Sequence, residues 1–167
     1  MADTELIAAE VPPREHESVV PLLLLAEPSA PSLRWSLRNL SDTVHRFDVD
    51  GALVGAATMR WRDEPSELVE LAVAADRHGQ GIGRRIVAWL VDEARRRGRR
   101  AIEVGTSSTS LGNIAFYQKC GFRPTAIRPD YFWYHDEPLF EHGIRVRDMI
   151  VFTYELEPRP PRVRRPR

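Results

Sequence analysis

Residues Leu71 to Arg85 read Leu-Ala-Val-Ala-Ala-Asp-Arg-His-Gly-Gln-Gly-Ile-Gly-Arg-Arg, a strand running through a glycine turn into a helix, and this order is suited to holding an anion. The first N–H groups of a helix have no internal partner, and the positive end of its dipole favours negative charge. Gly79, Gly81 and Gly83 carry no Cβ, so the backbone can approach phosphate oxygens closely and take positive φ without strain. Arg84 and Arg85 in the first turn oppose the helix dipole and make better sense beside a bound polyphosphate. Neither common nucleotide loop fits. No Gly-Lys-Ser/Thr is present, and Arg84 stands where a dinucleotide fingerprint needs its sixth-position glycine. A tight turn without a ligand is the plain alternative. Further along, His135-Asp136-Glu137 and Glu141-His142 gather metal-ligand types, but at spacings without a geometric rationale, so they read as a polar loop and no metal is expected. Cys120 is the one cysteine; it supports neither a disulfide framework nor a cysteine zinc site, and reads as buried and inert.

The elements around this turn follow from periodicity. Val19 to Leu25 and Ser32 to Leu40 predict two helices, the second with Leu33, Leu37 and Leu40 along one stripe. The period then changes to that of strands. His45 to Asp48 and Leu53 to Trp61 flank Asp50-Gly51, a strong two-residue hairpin signal, and Glu67 to Ala74 forms a third strand. The helix opened by Gly79 to Gly83 carries Ile86, Val87, Leu90, Val91 and Ala94 on one face and closes at Gly98. Ala101 to Gly105 is a short strand. Ser107 to Ser110 supplies hydroxyls able to cap the next helix, which runs to about Lys119 and stops at Gly121. Phe122 to Ile127 is a strand, Pro129 to Gly143 a long aromatic and acidic segment, and Arg145 to Leu156 the last strand. Strands and helices mixed in this way predict an α/β or α+β fold, a sheet with helices packed on it.

Asn113-Ile114-Ala115-Phe116-Tyr117-Gln118-Lys119-Cys120-Gly121-Phe122, taken together with the glycine turn, resembles the GCN5-related N-acetyltransferase (GNAT) family, close to a bacterial subgroup. Leu71, Val73, His78, Gly81 and Gly83 occupy positions of the family's strand–turn–helix motif, and Tyr117 stands four residues before Gly121-Phe122 as in its second motif. His78 replaces the usual Gln or Arg, and Ser110 the usual asparagine at the start of the second helix. Asn113 lies one turn before Tyr117 on the same side. The resemblance implies a mixed, mostly antiparallel sheet of about six or seven strands with about four helices. It also implies acetyl-CoA as co-substrate, held by Leu71, Ala72, Val73, His78, Gly79, Gln80, Gly81, Ile82, Gly83, Arg84, Ser110, Asn113 and Tyr117, without a metal. The third and fourth strands would splay apart so that the pantetheine arm bonds like an added strand, with the Val73 N–H meeting the thioester oxygen.

Acyl transfer from a thioester to an amine requires that the acceptor lose a proton, that the developing oxyanion meet a donor, and that the leaving thiolate be protonated. A phenol of pKa near ~10 can protonate a thiolate whose acid lies near ~8.5, although uphill, if held close, and this suits Tyr117. Glu67 and Glu70 are the candidates for the base. A separation of three puts them on opposite faces of a strand unless a bulge intervenes. Glu67 matches the position of the glutamate base in family members that have one, and Glu70 lies nearer the thioester. The segment Tyr131 to Glu141 places Tyr131, Phe132, Trp133 and Tyr134 beside Asp130, Asp136, Glu137 and Glu141. Such a wall, with Tyr131, Trp133 and Asp136 as substrate contacts, suits a cationic amine, whether small molecule or peptide. A CoA-binding sensor or partner module without turnover is the alternative.

Composition sets the outer limits. The 167 residues suit one domain, expected over 1–157, and are 43% hydrophobic and 29% charged, which is ordinary for a globular chain. The apolar run Val19 to Ala26 is interrupted by Pro21 and falls far short of the ~20 residues that span a bilayer. The acidic N-terminus lacks the basic start of a signal peptide. No membrane association and a cytoplasmic home are therefore expected. The last ten residues hold five arginines and no acid, reading as a disordered tail over 158–167. Without interleaved aromatics or glycines, and on an acidic body, they do not indicate nucleic-acid binding. The family commonly dimerises, so a homodimer is a candidate assembly.

Overall fold

A computed structural model describes residues 4–157; the expected tail lies outside the described residues. The chain opens with strand β1 (Ile7–Glu10), a 3-10 segment (Pro13–Ser18), and helices α1 (Val20–Leu23) and α2 (Ala30–Asn39). Pro31 occupies the first turn of α2, and the Ser29 hydroxyl accepts from the Ser32 N–H at 3.3 Å, a start built from a cap and a proline that needs no donor. The hairpin of β2 (Thr43–Val49) and β3 (Ala52–Arg60) turns through Asp50 (φ 51°) and Gly51 (φ 76°). Two successive left-handed residues are what a tight hairpin between twisted strands demands. Next come β4 (Ser66–Val73), a 3-10 turn (Ala75–Arg77), α3 (Ile82–Arg96), β5 (Ala101–Ser107), α4 (Leu111–Lys119) and β6 (Arg123–Arg128). A two-stranded ribbon, β7 (Phe140–Glu141) with β8 (Ile144–Arg145), precedes the last strand, β9 (Met149–Glu155).

The main sheet has seven strands in the order β1-β2-β3-β4-β5-β9-β6, antiparallel at every pair except β4–β5. The architecture is the mixed, mostly antiparallel sheet with four α-helices that the family resemblance implies. One face buries Val20 and Leu23 of α1 and Leu33 and Leu37 of α2 against Val44, Ala56 and Ala72. The other buries Ile82, Ile86, Val87, Leu90, Val91 and Ala94 of α3, with Tyr117 of α4, against Phe47, Met59, Leu68, Val104 and Phe152. Each face therefore removes a helical stripe from water, at roughly 25 cal/mol per Å² of apolar surface.

Three local expectations are corrected. β1 was not foreseen: Ile-Ala-Ala-Glu has no alternation, and it exists as an edge by pairing with Asp48 to His45 of β2. The last strand starts at Met149, because Arg145 belongs to the ribbon and Val146 to Asp148 connect the two. Ser110 takes the N-cap position of α4 but its side chain makes no cap bond; the hydroxyl is used elsewhere.

Candidate functional site

Strands β4 and β5 pair over only three rungs, Ser66↔Ile102, Glu67↔Glu103 and Leu68↔Val104. Beyond Leu68 they part, although β3 stays with β4 as far as Val73 and β9 stays with β5 as far as Ser107. The gap opens toward the glycine turn. The Ala74 N–H donates to the Val54 carbonyl at 2.9 Å, so the alternation of an antiparallel ladder turns the Val73 N–H and C=O away from β3, into the gap. His78 Nε2 lies 2.9 Å from that Val73 carbonyl oxygen, which gives this side chain a place at the mouth of the opening.

Gly81 is the N-cap of α3, with φ 78°, and a Cβ built there would meet nothing within 4 Å. Its need for glycine is thus conformational and faces open space. Gly83 is different: a Cβ would lie 3.2 Å from the Phe116 ring and 3.5 Å from Val73 Cγ2, so this glycine lets α3, α4 and β4 converge. Of the two arginines that follow, Arg85 donates to the Thr4 carbonyl at 2.6 Å, whereas Arg84 borders a groove with Lys119 and Cys120. Cys120 is half-buried, and burial pushes its thiol pKa up against the opposing pull of Arg84.

The two glutamates of β4 share a face because a bulge does intervene. Thr58 pairs with Glu70, and the next residue, Met59, with Leu68, so Val69 is the extra residue. Leu68 and Leu71 both turn to the α3 side, leaving Glu67 and Glu70 together on the other. Glu103, beside Glu67 in the parallel register, joins them. Glu67 is ion-paired with Arg60, and Glu103 lies 3.6 Å from Arg128. Glu70 is only 8% exposed. One of its oxygens accepts from Ser36 of α2 at 2.5 Å, the other from Thr58. Burial pushes its pKa up, the two hydroxyls pull against that, and the charges of Glu27 and Glu67 add to the rise.

Linkage follows from that direction. With the folded pKa above the ordinary carboxylate value, the contribution of Glu70 to stability is complete below that ordinary value and is lost as pH rises through the folded one. The variant Glu70→Gln, which cannot ionise, should therefore gain stability relative to the unsubstituted protein between pH 4 and pH 7.5. Urea midpoints of both proteins at the two pH values check this, and an unchanged difference would refute it.

The aromatic segment covers this acidic face from above. Burial raises the phenol pKa of Tyr131, as do Glu67 and Glu70, with Arg128 and Arg60 opposing. Tyr134 is pushed up by burial and by Glu27, and its hydroxyl donates to Glu27 Oε2 at 3.3 Å. Trp133 is 83% exposed; it shares a shallow pocket with Asp136, His135 and Arg145, a pocket that Glu67, Glu70 and Glu103 do not line. Tyr117 lies on the opposite side, among Phe116, Phe122 and Phe152 with ring centroids 5.1, 5.7 and 6.2 Å away, and burial raises its pKa. Asn113, one turn earlier, donates to Thr106 Oγ1 at 3.2 Å. Among the described residues no group of three His, Cys, Asp or Glu side chains could hold a metal ion, and no helix is long and apolar enough to cross a membrane.

Sequence reasoning missed Glu27, Arg60, Glu103 and Arg128 as members of this face. Strand register could have supplied Glu103; nothing local singles out Glu27, which reaches the site through the fold alone.

A family model described as Acetyltransferase (GNAT) family matches residues 13–122. The chain is 32% identical over 142 residues to the uncharacterized N-acetyltransferase YvbK of Bacillus subtilis, spanning 84% of this chain and 91% of that protein. Its structure is similar to that of a GNAT family acetyltransferase from Elizabethkingia anophelis with acetyl-CoA bound, at TM-score 0.80 and 29% identity, covering 90% of this chain and 97% of the other. A Bacillus subtilis acetyltransferase in complex with CoA matches at TM-score 0.80 and 30% identity, over 90% and 99% of the two chains.

Proposed function

Since the chain belongs to the acetyltransferase (GNAT) family, we propose that it is an N-acetyltransferase that moves the acetyl group of acetyl-CoA directly onto the nitrogen of a cationic amine. The observation that carries this is the parted β4–β5 pair beside a glycine turn at the head of α3. Unmatched backbone groups of a strand there meet the unpaired N–H groups of a helix, which suits an amide-bearing arm ending in a pyrophosphate.

Acetyl-CoA supplies an activated acyl group as a thioester, with a thiolate as leaving group. Gly79, Gln80, Gly81, Ile82 and Gly83, with Arg84, hold its pyrophosphate through backbone N–H groups and one guanidinium. Leu71 and Val73 bond its arm, whereas the backbone groups of Ala72, expected among these contacts, are turned to Ala56 of β3 by the same alternation; Ser110 and Asn113 at the start of α4 stand on the opposite wall. The Val73 N–H is the donor for charge developing on the thioester oxygen. Glu67 takes the proton of the acceptor ammonium. Glu70 is less suited to that task, because both of its oxygens already accept from Ser36 and Thr58. Tyr117 donates a proton to the departing sulfur. Tyr131, Trp133 and Asp136 line the acceptor side, where phenol faces and carboxylates attract a cation.

A panel of small amines, amino acids and peptides, read by thiol release from acetyl-CoA, tests this. Release that requires an amine and favours cationic ones is expected. Tight CoA binding with no release for any amine would replace the enzyme by a binding module.

A further inference from the structure

The carboxylate of Glu141, in the ribbon strand β7, is clasped by the start of α4. Its Oε2 accepts from Thr109 Oγ1 at 2.6 Å and its Oε1 from Ser110 Oγ at 3.1 Å. Thr109 is 1% exposed, and its hydroxyl also meets Ser107 Oγ at 2.6 Å, while its N–H donates to the same Ser107 oxygen at 3.1 Å. Asn113 Nδ2 lies 3.5 Å from Ser110 Oγ. One carboxylate therefore gathers the end of β5, the turn after it and the first turn of α4. It does so at the positive end of the α4 dipole, where negative charge is favoured, and it takes up the hydroxyl that would otherwise cap the helix.

Glu141 also ends the segment that carries Tyr131 and Tyr134. The root of that segment is fixed at Asp148, whose Oδ1 accepts from the Asp130 N–H at 2.9 Å and whose carbonyl accepts from the Ser108 N–H at 2.9 Å. Its far end is fixed by Glu141. The acceptor wall is thus tied at two points to the β5–α4 corner, and the second tie runs through Ser110, a residue assigned above to CoA.

We propose that Glu141 is a positioning residue that couples the two sides of the site: CoA contact at Ser110 and Asn113 tightens the Glu141 clasp, and the clasp sets the acceptor wall over the glutamates. This rests on the CoA assignment of the preceding section. Cofactor occupancy then prepares the acceptor side, giving positive coupling between the two ligands that must be reciprocal.

Hydrogen exchange with CoA as the probe tests the coupling without knowledge of the acceptor. In the unsubstituted protein CoA should slow exchange at the turn 79–83 and in the wall 130–146. In Glu141→Ala the turn should still be protected, whereas protection of the wall should fall by about tenfold or more, as expected for losing two bonds to a charged group. Glu141→Gln, which keeps an oxygen acceptor and an amide able to donate, should restore most of it. Thr109→Val, which removes one of the two bonds, should act in the same direction to a smaller extent, and the double variant should be no worse than Glu141→Ala alone. The proposal fails if the wall of Glu141→Ala is protected by CoA as before, or if Gln restores nothing, or if the two single effects add. Absence of protection at the turn itself in the unsubstituted protein would instead overturn the CoA assignment.

Discussion

Replacing Gly81 with valine should weaken CoA binding by roughly 100-fold while leaving the protein folded. Gly81 holds φ 78° at the N-cap of α3 with open space before it. A β-branched residue in the left-handed region costs roughly 1–2 kcal/mol. That is affordable against a typical folding free energy of about 5–15 kcal/mol, so the chain stays folded with a modest loss. Binding suffers more. Either the turn relaxes, and N–H groups leave the pyrophosphate at roughly 1.5–3 kcal/mol for a bond to a charged group, or it holds and Cβ fills the phosphate approach. A loss of about 3 kcal/mol corresponds to roughly 100-fold in Kd. Calorimetric titration with CoA and a thermal melt measure the two quantities separately. Wild-type affinity in this variant would mean that the turn does not hold the pyrophosphate.

Tyr117→Phe should lower kcat by roughly 10²–10⁴, the range for a lost general acid, with the Kd for CoA nearly unchanged. The ring sits among Phe116, Phe122 and Phe152, where phenylalanine fills the same volume, so the melting temperature should hardly move. Burial has raised the phenol's pKa, so its proton is present throughout the neutral range. The sign is definite: no loss of activity from deprotonation of Tyr117 should appear below about pH 10, its unperturbed value. Steady-state kinetics across pH, with CoA binding measured in parallel, decide it. Unaltered turnover would show that the thiolate leaves without help from Tyr117.

Local chemistry was the legible part of this chain. Asp50-Gly51 announced the hairpin because few other dipeptides accept two left-handed residues in succession, and α3 was marked at one end by glycines and at the other by Gly98 (φ 66°). Elements defined by partners were harder. β1 is four residues of weak pattern, completed by β2. The bulge at Val69 leaves no mark, because burial still alternates along β4 from Ser66 to Val73. Whether Glu67 and Glu70 share a face is settled by a slip in pairing with β3. The same holds for the site. The glycine turn is marked by its own spacing, and Tyr117 is a candidate only through the resemblance to the family's second motif, whereas Glu27 with Tyr134, and Glu141 with Thr109, are separated by 107 and 32 residues.

The parting of β4 from β5 has a consequence for the whole molecule as well as for its chemistry. A sheet interrupted in its middle carries an internal seam, and the backbone groups along that seam are as ready to template a stray extended chain as those of any exposed edge. A ligand that lies in the seam supplies the missing rungs and closes the sheet to intruders. By mass action it also stabilises the native state, by about 2.7 kcal/mol at a concentration one hundred times its Kd. The supply of such a ligand would then act as part of the chain's own architecture, guarding the fold during the intervals when no acceptor is at hand.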